Sequence, residues 1–178
     1  MPEEMEVPTE HLHESIHEAV EKSNSRWVMM VALTAALLAV LAALASLLAS
    51  YHVNESMIEQ LKASDQWSYY QAKGIKHSVL QSKIETLNGL GKETSLQDEK
   101  KLAQYDQEQK EIAAIAREKE DSSFKHLEVH HILARAVTVF QIAIAISAIA
   151  VLTKKKWLWY GSIILGLAGT VFLVQGVI

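Results

Sequence analysis

The chain has 178 residues, 49% of them hydrophobic, a formal charge of −4 and no cysteine. Without cysteine there is no disulfide framework, no thiolate nucleophile and no thiolate metal site. The acidic balance lacks the clustered Lys and Arg that a nucleic-acid surface needs, so no nucleic-acid partner is expected.

Residues 1–26 carry seven acids and two bases and open with Pro2 and Pro8 among glutamates, which reads as a disordered beginning. From about Thr9, an acceptable N-cap, Leu12, Ile16, Ala19 and Val20 fall on one helical face. The opposite face is acidic, which suits a protein surface better than a lipid one. Within this segment His13-Glu14-Ser15-Ile16-His17 matches H-E-x-x-H, the string that places two zinc ligands one turn apart around a catalytic base. A catalytic zinc also needs a third ligand and a closed site, and an apolar run begins ten residues later. The string therefore reads as a polar helix face, with His13 and His17 as candidate metal ligands.

Three runs have no charge at all: Trp27–Ser50, Ala136–Leu152 and Trp157–Ile178, of 24, 17 and 22 residues. Each matches the roughly 17–25 residues that cross a bilayer core, and backbone groups in lipid must be satisfied internally, so all three are expected as helices. The first is too long, and its leader too acidic, for a cleavable signal peptide. Small residues recur along each run. Ala35, Ala39, Ala42, Ser46 and Ala49 follow spacings of 4, 3, 4 and 3, as do Ala134, Thr138, Gln141, Ala145 and Ala148. In the third run Ser162, Gly166 and Thr170 stand four apart, with Gly169 beside them. Small faces let helix backbones approach closely in lipid. The amide of Gln141 is costly there unless paired, and is expected to meet Ser46 or the Gln141 of a neighbouring copy.

The resulting organisation is an acidic segment at 1–26 and transmembrane helices at 27–51, 132–153 and 157–178. A polar segment lies at 52–131 and a basic turn at 154–156. Lys22 and Arg26 lie on the same side as Lys154–Lys156, with Trp27, Trp157, Trp159 and Tyr160 at that interface. The positive-inside rule makes that side cytoplasmic, leaving the polar segment and the C-terminus opposite.

The polar segment breaks at Asn88-Gly89-Leu90-Gly91, and Thr94 or Ser95 with Asp98 resembles a capping box. Two near-equal helical arms joined by a turn at 88–94 are expected, each continuing into its apolar run without a break. In the first arm Leu61, Ala72, Ile75 and Val79 share a face, giving way to Leu80, Ile84 and Leu87 near the tip. The second arm offers Leu102, Tyr105, Ile112, Ile115, Ala116 and Leu127. So thin a core is marginal for a lone hairpin, which points to a homo-oligomer or a membrane protein complex. Trp67, Tyr69, Tyr70 and Lys73 form an aromatic string that either anchors a partner or fills the hairpin core. At the base, His52, His126, His130 and His131 are further candidate metal ligands.

The string Asp65-Gln66-Trp67-Ser68-Tyr69-Tyr70-Gln71-Ala72-Lys73, the Pro-Thr-Glu-His-Leu-His leader and the first run ending Ser-Leu-Leu-Ala-Ser resemble a bacterial membrane-protein family, "domain of unknown function 4337". The resemblance covers nearly the whole chain and implies a bacterial inner-membrane protein. The family has no assigned activity, so it assigns no role to any residue.

The fold expected is an all-α membrane protein with a long antiparallel helical hairpin inserted between the first and second of three transmembrane helices. The function expected is a non-enzymatic scaffold or accessory subunit that binds the lipid bilayer and other protein, with no cofactor and no small-molecule substrate. A homo-oligomeric channel or transport protein lined by Thr138 and Gln141 is the alternative, and a membrane-bound metal-dependent hydrolase ranks third.

Overall fold

The computed structural model describes residues 26–178, so the acidic leader with His13 and His17 lies outside the described residues. Every element among these residues is helical: α1 is Arg26–Gly89, α2 is Leu96–Thr153 and α3 is Lys156–Val177. Each contains a stretch long and apolar enough to cross a membrane. No break divides the apolar part of α1 or α2 from its polar part. The chain around 50–58 and 125–136 contains neither Pro nor Gly, the residues that would interrupt a helix there.

The helices stop where the local chemistry dictates. Gly91 takes a positive φ of 66°, and the Lys92 N–H donates to the Leu87 carbonyl at 2.9 Å, the bond that closes a left-handed helix cap. Ser95 starts α2, its Oγ accepting from the Gln97 N–H at 3.2 Å. Asp98 does not reach back to complete a capping box; its carboxylate binds Lys83 instead, at 2.7 Å. Lys154, also at positive φ (55°), makes the turn into α3.

Contacts divide the described chain into two compact units, 26–53 with 128–178 and 54–127. The first is a three-helix bundle. Leu38, Ala42 and Ala45 of α1 pack with Ala136, Val137, Phe140, Ala143 and Ile144 of α2, and Leu165, Phe172 and Leu173 of α3 close over them. Ala35 meets Ala148 in a layer of small side chains, and Val28, Val31 and Val151 pack with Trp27 and Trp159.

Here α3 docks through its small face. A Cβ on Gly166 would come within 2.5 Å of Leu38 Cδ2, and one on Gly169 within 2.8 Å of the Phe140 ring. Ser147 Oγ donates to Ser162 Oγ at 2.9 Å, and Ser162 donates on to the Trp159 carbonyl, so both fully buried hydroxyls are satisfied.

Ala35, Ala42, Ser162, Gly166 and Gly169 are buried as their spacing suggests, with Ala39 and Ser46 half-buried beside them. Of the row expected on α2, only Ala148 lies in the buried core of the bundle. The buried positions of α2 in this unit are Leu133, Ala136, Val137, Phe140, Ala143, Ile144, Ser147, Ala148, Ala150 and Val151. Thr138 is exposed and Gln141 only half-buried, because neither falls in that phase of the helix. Gln141 shares no hydrogen bond with Ser46 or with any other described residue.

Gly169→Val forces the Phe140 ring aside and is expected to cost about 1–3 kcal/mol of bundle stability, as overpacking does. Nothing lies within 4 Å of a Cβ built on Gly161, so Gly161→Ala is the neutral control. Thermal unfolding in detergent followed by circular dichroism reads both.

Candidate functional site

The second unit, 54–127, holds the residues that the sequence marks for recognition. Its two helical stretches run antiparallel: Ser56 meets Ser123, Trp67 meets Glu120, Lys73 meets Glu108 and Lys83 meets Asp98. What packs between them mixes polar and apolar side chains. On α1 the buried and half-buried positions include Ser56, Glu59, Ala63, Gln66, Tyr70, Lys73, His77, Leu80, Ile84 and Leu87, at alternating spacings of 3 and 4, with Glu55, Trp67 and Gly74 beside them. On α2 they include Leu102, Tyr105, Gln109, Ile112, Ala116, Lys119 and Ser123, in the same alternation. This is a heptad seam, with its apolar layers concentrated toward the turn and around Ala63, Ile112 and Ala116.

The face expected to form the first arm's core points the other way. Leu61, Ile75 and Val79 are each 66% exposed, and Ala72 is exposed with them. Met57 and Ile58, both exposed, continue the stripe. Hydrophobicity alone selects Leu61, Ile75 and Val79 for the interior. The heptad phase, carried forward from Val28, Val31, Ala35 and Leu38 of the same helix, selects Ser56, Glu59, Ala63 and Tyr70. The phase of the helix is the signal that finds the seam.

The seam is held by charge and hydrogen bonding. Lys62 Nζ donates to Glu59 Oε1 at 2.6 Å, and Lys119 Nζ approaches Oε2 at 3.1 Å as an ion pair across the helices. The Lys62 hydrogen bond, aided by Lys119, holds the Glu59 carboxyl below the ordinary glutamate range. Lys73 bonds Glu108, which raises the amine and lowers the carboxyl. The same ammonium lies 5.4 Å from the Tyr69 and Tyr105 ring centres, a distance for cation–π attraction. His77 Nε2 stands 3.1 Å from Asp106 Oδ1. Ser123 Oγ donates to the Ser56 carbonyl at 2.9 Å and lies 3.1 Å from Ser56 Oγ, a buried hydroxyl pair.

All four residues of the aromatic string make contacts inside the unit. The Trp67 indole donates to Glu120 at 2.8 Å and meets Tyr70 edge to face at 5.6 Å, while Lys73 is bound as above. Tyr69 keeps a half-exposed ring.

Among the described residues, no group of three or more His, Asp or Glu side chains is placed to hold a metal ion. His130 Nδ1 lies 2.9 Å from the Ala49 carbonyl, His131 is exposed, and His52 and His126 are half-buried and engaged by neighbours. His52, His126 and His130 occupy seam positions on their helices, and His131 falls one residue off.

A polar-seamed helical pair joined in sequence to three apolar helices is one side of the comparison with known proteins. The model of the family described as "Domain of unknown function (DUF4337)" matches residues 27–178. The chain belongs to the DUF4337 family. No curated protein and no solved structure matches it. The matched region begins one residue inside α1 and takes in all three helices, so the seam and its outward stripe both lie within the DUF4337 domain.

Two outcomes test this geometry. A depressed carboxyl stabilises the fold above its ordinary value and loses that contribution as pH falls through the folded one. A raised lysine stabilises below its ordinary value and loses the contribution as pH rises through its folded one. Thermal stability of the intact protein is therefore expected to hold steady near neutrality and to fall below about pH 4.5, where Glu59 and Glu108 protonate, and above about pH 10.5, where Lys73 titrates. Glu59→Gln with Glu108→Gln flattens the acid limb. Separately, Ser123→Ala strands its buried partner hydroxyl and costs about 1 kcal/mol or more, whereas replacing Ser56 and Ser123 together by Ala is close to neutral. Chemical unfolding of the wild type and the two serine variants distinguishes them.

Proposed function

We propose that this DUF4337 protein is a non-enzymatic membrane scaffold or accessory subunit whose helical pair assembles with further copies or with another membrane protein. Its three apolar helices cross the bilayer, and residues 54–127 extend between the first and second as an antiparallel hairpin. The membrane is the bacterial inner membrane. Arg26 and Lys154–Lys156, with Trp157 and Trp159 beside them, mark the cytoplasmic side, so the hairpin and the C-terminus lie opposite.

One observation carries the reading: the helical pair keeps polar side chains in its seam and turns Leu61, Ile75 and Val79 to the outside. Each large apolar side chain moved from water into a contact contributes about 1.5–3 kcal/mol. A row of them along one helix face, opposite a seam of ion pairs, is the pattern of a helix built to be covered on both sides. Tyr69 borders the same stripe, an aromatic of the type that anchors protein interfaces.

Wild-type protein extracted from its own membrane is expected to run as an assembly larger than a monomer in native mass spectrometry. Replacing Leu61, Ile75 and Val79 together by Ser is expected to release monomers with unchanged helical content. A wild-type protein that is monomeric and partner-free contradicts the proposal.

A further inference from the structure

In the bilayer that the proposed function requires, Gln141 presents a problem that the chain does not solve by itself. It sits near the middle of the span expected at 132–153, six residues from Arg135, and is half-buried on the bundle. Its carboxamide has no hydrogen-bond partner among the described residues. Neighbouring hydroxyls are already satisfied: Thr138 Oγ1 donates to the Ala134 carbonyl at 3.0 Å, and Thr170 Oγ1 to that of Gly166 at 2.9 Å. Hydrocarbon supplies neither donors nor acceptors, and the position is too deep for so short a side chain to reach the headgroups. The amide must therefore bond to another protein.

We infer that Gln141 is the centre of a membrane-embedded contact between two copies of this chain, each carboxamide donating to the other across a two-fold axis. Resting on the proposed oligomeric scaffold, the inference names its intramembrane interface. A carboxamide has both donors and an acceptor, so two identical amides complete each other's hydrogen bonding without a second residue type. Copies inserted in the same direction bring Gln141 opposite Gln141 at the same depth, the self-complementary geometry of an isologous dimer. The surroundings permit the approach. Thr138 is exposed one turn before Gln141, Ala145 is half-buried one turn after it, and both are small. Ile142 and Ile149, each 48% exposed, flank the row and shield the amides from lipid. The outward face of α3, with Ile164, Leu167 and Val171 exposed, carries no polar side chain among these and stays against lipid.

The chain's lack of cysteine makes the test direct, since each single substitution is the sole thiol. Thr138→Cys, Gln141→Cys and Ala145→Cys are compared with Leu167→Cys in membranes under mild oxidation. Disulfide-linked dimers are expected from the three α2 positions and not from Leu167→Cys. In parallel, Gln141→Leu, which keeps the helix apolar and inserted, is expected to weaken self-association of the full chain by about 3- to 10-fold, measured by energy transfer between labelled copies in liposomes, as loss of an intramembrane hydrogen bond does. Wild-type copies that associate while Gln141→Leu associates equally well, or cross-linking as strong from Leu167→Cys, overturn the inference and leave the scaffold standing. Wild-type copies that do not associate at all overturn the inference and leave only the assembly with another membrane protein.

Discussion

Along α1, the residues turned toward their neighbours recur at alternating spacings of three and four from Val28 to Leu87, and α2 keeps the same alternation from Asp98 to Val151. A strict seven-residue repeat confines contact to one narrow stripe and drives helices into a shallow left-handed supercoil. Each residue's role follows from its distance to that stripe. Leu38, Ala42 and Ala45 enter the bundle core, Ser56 and Glu59 meet partners across the helical pair, and Leu61 is left outside. The repeat does not distinguish apolar from polar side chains, and so Glu59 and Lys73 hold seam positions while Ile75 and Val79 do not.

The two units use the stripe by different physics. In the bundle the seam is apolar and small, so backbones approach closely, and α3 seals the groove by setting Gly166 and Gly169 against Leu38 and Phe140. In the helical pair ion pairs and hydrogen bonds share the seam with the apolar layers. Such polar contacts specify register well but add little net stability, because each charged group gives up hydration to form them. Glu59 has two lysines and Lys73 a carboxylate with two rings, which keeps the charged groups of the seam from being stranded. Register is thereby encoded locally, while further apolar side chains that would add stability lie on the outer face. That division underlies the proposal of a subunit completed by assembly.

Much of the architecture is legible in the sequence, for plain reasons. Three charge-free runs of membrane-spanning length, a Gly-rich break at 88–91 and the serine at 95 set the helices and the turn. The small residues of the first and third runs mark real contact faces, since close packing leaves no room for larger ones. Two readings miss the contacts made within the chain, for one shared reason. On α2, Thr138 and Gln141 look like a packing row, and on α1, Leu61, Ile75 and Val79 look like a core, because each set is regularly spaced and chemically suggestive. Both ignore the phase set elsewhere on the same helix. A shift of one residue rotates a side chain by about 100°, enough to move it from the contact to the surface. The ion pairs of Glu59 and Lys73 were hidden because they join residues dozens apart in sequence, and no local pattern names such a partner.

The central claim is that residues 54–127 are only modestly stable alone and gain their order from being covered. Amide hydrogen exchange on the intact protein addresses it directly, comparing nanodiscs that hold one copy with native membrane vesicles. In single-copy discs, peptides from 54–127 are expected to exchange far faster than those from 28–53 and 128–177, and to become protected in the native membrane. Equally strong protection of 54–127 in single-copy discs would contradict the claim.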